Sequence, residues 1–358
     1  MDIIKYFLLF VDESNQDIMN DEQVSESNQG DVLSASSDED VLGDAGTFAA
    51  LNTKVSSGGN SIKLENNYTY SSSTDSNYRN GIVINNDLEI DGQGHTIDGM
   101  SNSKIFRITS GSKVVLKNIV FKNAYYSNNG NGGAIHATTS NVDLELINCT
   151  FESIRVPSNG AAVYLSSNSA LNIVNSTFKS TGSYTSNNGG AVYLSSGCTV
   201  NVADSTFESY RAYSGGVFYV NNMCNVNVTN STFKSNYGSN YGGVFYVNYN
   251  GNVNVTNSTF ESNRASGTGG VIYASSSSNV NVIDSTFKSN EAYSNGGAVY
   301  AGSGCNVNVI DSTFESNKAY SNGGAVYAGS GCNVNVIDST FESNKAYSNG
   351  GAVYAGSG

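Results

Sequence analysis

The chain has 358 residues, of which 30 are acidic and 17 basic, giving a formal net charge of −13 with two histidines, one proline, five cysteines and no tryptophan. Eleven of the acids lie between Asp12 and Asp44, where no Lys or Arg occurs, so residues 45–358 are close to neutral, with 18 acids against 16 bases. No basic run with interleaved aromatics exists, which excludes nucleic acid as a partner, and no segment approaches the roughly 20 apolar residues of a membrane span.

From the N-terminus, Tyr6–Val11 is a short apolar run after Lys5, and residues 1–11 are expected to be a degenerate export signal with Asp2 misplaced in its charged region. Residues 12–44 read as an acidic disordered linker, too rich in like charge to build a core. In the cap expected over residues 45–60, Thr47–Val55 predicts a helix. Thr47 would be its N-cap, with Phe48, Leu51 and Val55 on one face, placed to cover the open end of a stack.

Nine phenylalanines then mark a beat: Phe121, Phe151, Phe178, Phe207, Phe233, Phe260, Phe287, Phe314 and Phe341, settling to 27 residues from Phe233 onward. A fixed period of this size means units that bury apolar surface against their neighbours. Before Phe314, Cys305, Val307 and Val309 alternate with Asn306 and Asn308, and period two is a strand. Past each Gly-Gly, the column Ile135, Val163, Val192, Phe218, Phe245, Ile272, Val299, Val326, Val353 is expected to face inward. Alternation would set Ala325 and Tyr327 on the opposite side from Val326 and Ala328. Within the repeats apolar residues do not recur at three and four, and the leucine-rich frame and glycine-aspartate nonapeptide are missing. The remaining architecture is all-β, a parallel β-helix (solenoid) of about 11 coils over residues 61–358, each coil having three short strands and three turns. It would span roughly 50 Å at strand spacing. The strong bias of parallel crossovers makes it right-handed. Ending at Gly358, partway through a repeat, the sequence reads as a fragment of a longer array, truncated at the C-terminal end.

The Phe-x-x-Asn element (Phe233 to Asn236, Phe260 to Asn263, Phe287 to Asn290, Phe314 to Asn317, Phe341 to Asn344) followed by Gly-Gly-Ala-Val resembles the repeat of chlamydial polymorphic outer-membrane proteins. The segments Gly81–Gly99, Ile105–Ile108 and Leu116–Phe121 resemble more closely the opening coils of adhesin-like surface proteins of methanogenic archaea. The resemblance covers roughly residues 45–358 and implies a right-handed parallel β-helix of the pectin lyase-like kind, displayed at the cell surface.

In a stack, the unit of chemistry is the column. Lys122, Glu152, Lys179, Glu208, Lys234, Glu261, Lys288, Glu315 and Glu342 alternate in sign until the last pair, which converts like-charge repulsion into cross-strand pairing. Lys318 and Lys345 would compensate that break. Asn148, Asn175, Asp204, Asn230, Asn257, Asp284, Asp311 and Asp338 share one position; free exchange of Asn and Asp points to a turn bond rather than to calcium. Asn172, Asn201, Asn227, Asn254, Asn281, Asn308 and Asn335, and the Asn236–Asn344 set after Phe, suggest amide ladders. Cys198, Cys224, Cys305 and Cys332 fall in one column, as small inward residues or as neighbouring pairs (198 with 224, 305 with 332) within the Cα range of a disulfide but with awkwardly parallel Cβ vectors, while Cys149 stands apart. No Cys-x-x-Cys spacing exists, and no metal or cofactor is expected.

Tyrosine supplies the candidate ligand-binding column: Tyr164, Tyr193, Tyr219, Tyr246, Tyr273, Tyr300, Tyr327 and Tyr354, with His136 first and a second set, Tyr213, Tyr293, Tyr320 and Tyr347, before the glycines. It could serve as a platform for sugar rings or partner surfaces, or simply stabilise its sheet. Asn67, Asn148, Asn175, Asn227, Asn230, Asn254 and Asn257 satisfy Asn-x-Ser/Thr and are candidate glycosylation sites. The expected function is a non-catalytic, extracellular adhesin-like rod for adhesion or spacing, with cell-surface glycans or surface proteins as partners. The alternative is a polysaccharide lyase or hydrolase, for which His95, Asp91 and Asp98 form the one locally unusual polar cluster.

Overall fold

A computed structural model describes residues 46–128, 130–181 and 186–356. The segments read as an export signal and an acidic linker, residues 1–11 and 12–44, lie outside the described residues. Helix α1 (Phe48–Ser57) forms where the N-cap pattern placed it: the Thr47 hydroxyl accepts from the Ala50 amide at 3.1 Å, and Phe48, Leu51 and Val55 are buried. The helix packs on the first coil, made of β1 (Ser61–Lys63), β2 (Tyr68–Thr69) and β3 (Ile82–Ile84). Asp75, fully buried, ties cap to coil by accepting from the amides of Phe48, Ala49 and Ser71 at 3.3, 3.1 and 2.9 Å.

Every later coil lies on the one before it, giving three parallel sheets of 11 strands each. Registers pair like with like, as in Phe260↔Phe287↔Phe314 on one sheet and Ile272↔Val299↔Val326 on another. The phenylalanine rings stack from Phe121 to Phe341 with centroids 4.4–5.0 Å apart. Cys305, Val307 and Val309 point into the core and are fully buried. Three expectations need correction. A fourth sheet of seven short strands, from Ser186–Asn188 to Lys345–Ala346, occupies a turn, because backbone pairing between successive coils continues around that corner. Ala325, expected outward by alternation, is buried, since the Gly-Gly corner folds it inside. Lys318 pairs with Glu291 at 3.3 Å rather than compensating Glu315, which Lys288 already holds at 3.0 Å.

Polar columns carry the coils between strands. Asn148 through Asp338 in the Asn/Asp column all adopt positive φ, from +46° to +52°. The left-handed region favours these two residue types, which accounts for their exchange. The serine of each Ser-Thr-Phe accepts the amide of its counterpart one coil earlier, as Ser231 N–H to Ser258 Oγ at 3.1 Å, and donates to the carbonyl two residues before it. After Phe, Asn236, Asn263, Asn290 and Asn317 are buried. The Asn290 side chain donates to Asn317 Oδ1 and to the Phe260 carbonyl, both at 3.0 Å, and accepts from the Asn263 amide at 2.9 Å. An outward ladder runs from Asn172 to Asn308 at 2.7–2.9 Å. A second one, not read from the sequence, joins Asn225, Asn252, Asn279, Asn306 and Asn333.

Inner and outer ladders differ in the solvent available to a severed partner. Asn290→Ala strands buried groups on both neighbouring coils and is expected to lower unfolding free energy by about 2–4 kcal/mol, whereas Asn308→Ala costs about 1 kcal/mol or less. Urea denaturation of the two variants measures the difference; equal losses would contradict it.

Candidate tyrosine site

Each tyrosine of the main column leaves the third sheet one residue after the inward Val/Phe position, so strand alternation alone turns it outward. The Gly-Gly before it is demanded by backbone: Gly296 has φ +68°, and a Cβ on Gly297 would lie 2.0 Å from the Gly324 carbonyl oxygen. From Tyr164 to Tyr354 the rings stack with centroids 4.8–5.1 Å apart and planes within 13° of parallel. His136 closes the N-terminal end, edge-on to Tyr164 at 5.2 Å. All eight tyrosines are half-buried. Because each ring face is covered by the next ring, the column offers solvent its ring edges and phenol oxygens, not its faces. Burial, first among the causes, pushes the phenols of Tyr193, Tyr246 and Tyr300 upward and that of Tyr219 to about 12, with neighbouring tyrosines adding to it.

The second tyrosine set is the more exposed. Tyr213, Tyr293, Tyr320 and Tyr347 are 38–54% accessible, and the last three stack at 4.7 and 5.2 Å. Cations lie over these rings: Arg264 over Tyr293 at 4.3 Å, Lys318 over Tyr320 at 4.2 Å and Lys345 over Tyr347 at 4.5 Å. In the same column Glu291 joins Arg264 at 3.6 Å to Lys318 at 3.3 Å. On the neighbouring face Lys122, Lys179, Lys234 and Lys288 each pair with the glutamate of the following coil at 3.0–3.9 Å. Such exposed pairs contribute little each.

The opening-coil cluster does not converge. His95 Nδ1 meets Asn67 Oδ1 at 3.3 Å, Asp91 accepts from Gln93 N–H and Asn118 Nδ2, and Asp98 accepts from Met100 N–H and Asn123 Nδ2. The two amide bonds close local turns, and the asparagine partners sit on neighbouring coils. Sequence reasoning passed over a different group, Lys104, which is fully buried with Nζ donating to the Asn131 carbonyl and to His136 Nδ1. Burial, reinforced by Arg107, draws Lys104 down to about 8, and burial with Lys104 and Arg107 beside it holds His136 near 3. Its one visible signal was a lysine and a histidine interrupting otherwise apolar or tyrosine positions. The five cysteines are free thiols, and burial pushes Cys149 up to about 12.

Of the candidate glycosylation sites, Asn67, Asn148, Asn175, Asn230 and Asn257 are exposed, while Asn227 and Asn254 are half-buried within the outward ladder. Among the described residues no group of three or more His, Cys, Asp or Glu is arranged to hold a metal ion, and no helix is long and apolar enough to cross a membrane.

The profile of the family described as Chlamydia polymorphic membrane protein (Chlamydia_PMP) repeat matches residues 257–275, 284–302, 311–329 and 338–356. Each match runs from the Asn/Asp turn through Ser-Thr-Phe and the Gly-Gly corner to the strand that carries the column tyrosine, so the similarity falls on the same part of four consecutive coils. Comparison with curated proteins and with solved structures gives no match.

The raised phenols of the tyrosine column are expected to make stability alkali-sensitive. Phenols whose folded pKa is raised above the ordinary 10 stabilise fully below that value and lose the contribution as pH climbs toward 12. Tyrosinate absorbance is therefore expected to rise in two stages, the later one together with loss of β-sheet circular dichroism. A single stage near pH 10 with the sheet intact would refute this.

Proposed function

We propose that the protein is a non-catalytic cell-surface rod, serving adhesion or spacing, and that its contacts with glycans or surface proteins lie along the tyrosine columns. One observation carries the reading: the described coils stack identical side chains in register, so that any weak contact recurs at each strand spacing of about 4.8 Å. Repetition of that kind multiplies affinity through effective concentration without a specialised pocket. The four matched repeats support a surface location, since the family they describe is a membrane-protein repeat. The lyase or hydrolase alternative would need an irregular, convergent acid site. His95, Asp91 and Asp98, the cluster that suggested one, are each engaged separately, by a turn amide or by an asparagine of a neighbouring coil.

Tyr246, Tyr273 and Tyr300 changed together to Ser, and separately Tyr293, Tyr320 and Tyr347 changed to Ser, are expected to weaken retention on a glycan array at least tenfold while circular dichroism stays that of a β-helix. The exposed triple guards against a folding defect in the half-buried one. Release of unsaturated or reducing sugar from any arrayed polysaccharide would instead favour the enzyme.

A further inference from the structure

The tyrosine columns are uniform, but the corner between the second and fourth sheets is not. Phe207 and Phe233 are 26 residues apart, and the pairing of Arg211–Ser214 with Tyr237–Tyr241 shifts register between Ala212 and Ser214. Bulges of this sort re-aim side chains. Here they accompany a cavity of about 290 Å³ lined by Arg211, Ser235, Asn236, Tyr237, Ser262 and Arg264.

Arg211, Tyr237 and Arg264 are register partners on three successive coils, and the Arg211 guanidinium lies over the Tyr237 ring at 5.4 Å. Arg264 is already engaged by Glu291 at 3.6 Å and by the Tyr293 hydroxyl. Arg211 is exposed, and among the described residues its guanidinium has neither an ion pair nor a hydrogen bond. The corner serines, held at φ +55° and +57°, likewise carry hydroxyls without a partner among the described residues, whereas Asn236 is consumed by the buried ladder. The site therefore presents one uncommitted guanidinium, a second shared with a carboxylate, a tyrosine edge and two free hydroxyls.

A separate cavity of about 270 Å³ is lined by Arg155 with Ser153, Ser180 and Thr181, but there the Ser153 and Thr181 hydroxyls bond each other and Arg155 lies over the Tyr125 ring at 4.5 Å. Arg211 and Arg264 occupy one column two coils apart, a separation on the order of 10 Å.

We propose that this corner is a subsite for an acidic saccharide, a sugar unit bearing a carboxylate or a sulfate, in a linear glycan lying along the rod axis with charge on alternate units. A guanidinium matches the planar oxygens of a carboxylate or the tripod of a sulfate. The serine hydroxyls and tyrosine edge face the ring hydroxyls beside it. The inference rests on the glycan-binding reading above and adds the ligand's charge and the residues that select it.

The test uses the full chain and three immobilised polymers: polygalacturonate for carboxylate, dextran sulfate for sulfate, and uncharged dextran. Binding to at least one acidic polymer is expected to exceed binding to dextran tenfold or more, to fall with added salt, and to fall at least tenfold in the Arg211→Gln/Arg264→Gln variant. Arg211→Lys, which keeps the charge but not the fork, should lose an intermediate amount. Equal binding of acidic and neutral polymers, or an unaffected double variant, overturns the subsite and leaves the glycan-binding reading standing. Equal, arginine-dependent capture of polyglutamate overturns the saccharide assignment, and retention of no glycan of any kind overturns both.

Discussion

In-register parallel pairing between successive coils is the constraint on which everything else depends. Once backbone ladders fix one coil about 4.8 Å above the last, each side chain must tolerate a copy of itself as its nearest neighbour. Aromatic rings solve this by stacking, as the phenylalanines do inside and the tyrosines outside. Amides solve it by donating to one another, and serines by accepting the backbone amide of the preceding coil. Like charges repel, and so Lys and Glu alternate up to the last pair, Glu315 and Glu342.

That constraint also shapes what the surface can offer. Stacking that stabilises a tyrosine column hides its ring faces, which makes the most regular feature of the molecule a poor aromatic platform and a good array of edges and hydroxyls. More open chemistry appears where regularity is interrupted: the stepped register at Ala212–Ser214 accompanies Arg211, which has no ion pair among the described residues, and the opening coils hold Lys104 against His136. Uniform coils repeat one surface at each strand spacing, while the irregular ones break that repetition.

Much of the fold was legible in the sequence because local signals and stacking agree. Thr47, Phe48, Leu51 and Val55 specify a capped amphipathic helix, and period two at Cys305–Val309 specifies a strand with a known inner face. The tyrosine column could be listed residue by residue, although its half-burial could not. Legibility failed where one residue type has two fates. Asn290 is buried with four side-chain hydrogen bonds and Asn308 faces out, yet both are asparagines in a repeated frame. Ala325 broke the alternation because a corner rather than a strand sets its direction. The two-residue strands of the fourth sheet are too short to carry any period.

By itself, then, the sequence determined the repeat, the strands, the inner phenylalanine and valine columns and the capping helix, since each follows from periodicity or from contacts within a few residues. Only the tertiary structure decided which corner folds inward, which of Glu291 and Glu315 receives Lys318, and how Arg211, Tyr237 and Arg264 come to share one cavity. Those outcomes depend on distances between residues about 27 positions apart, set by the path of the backbone around each corner, and one-dimensional spacing does not contain that path.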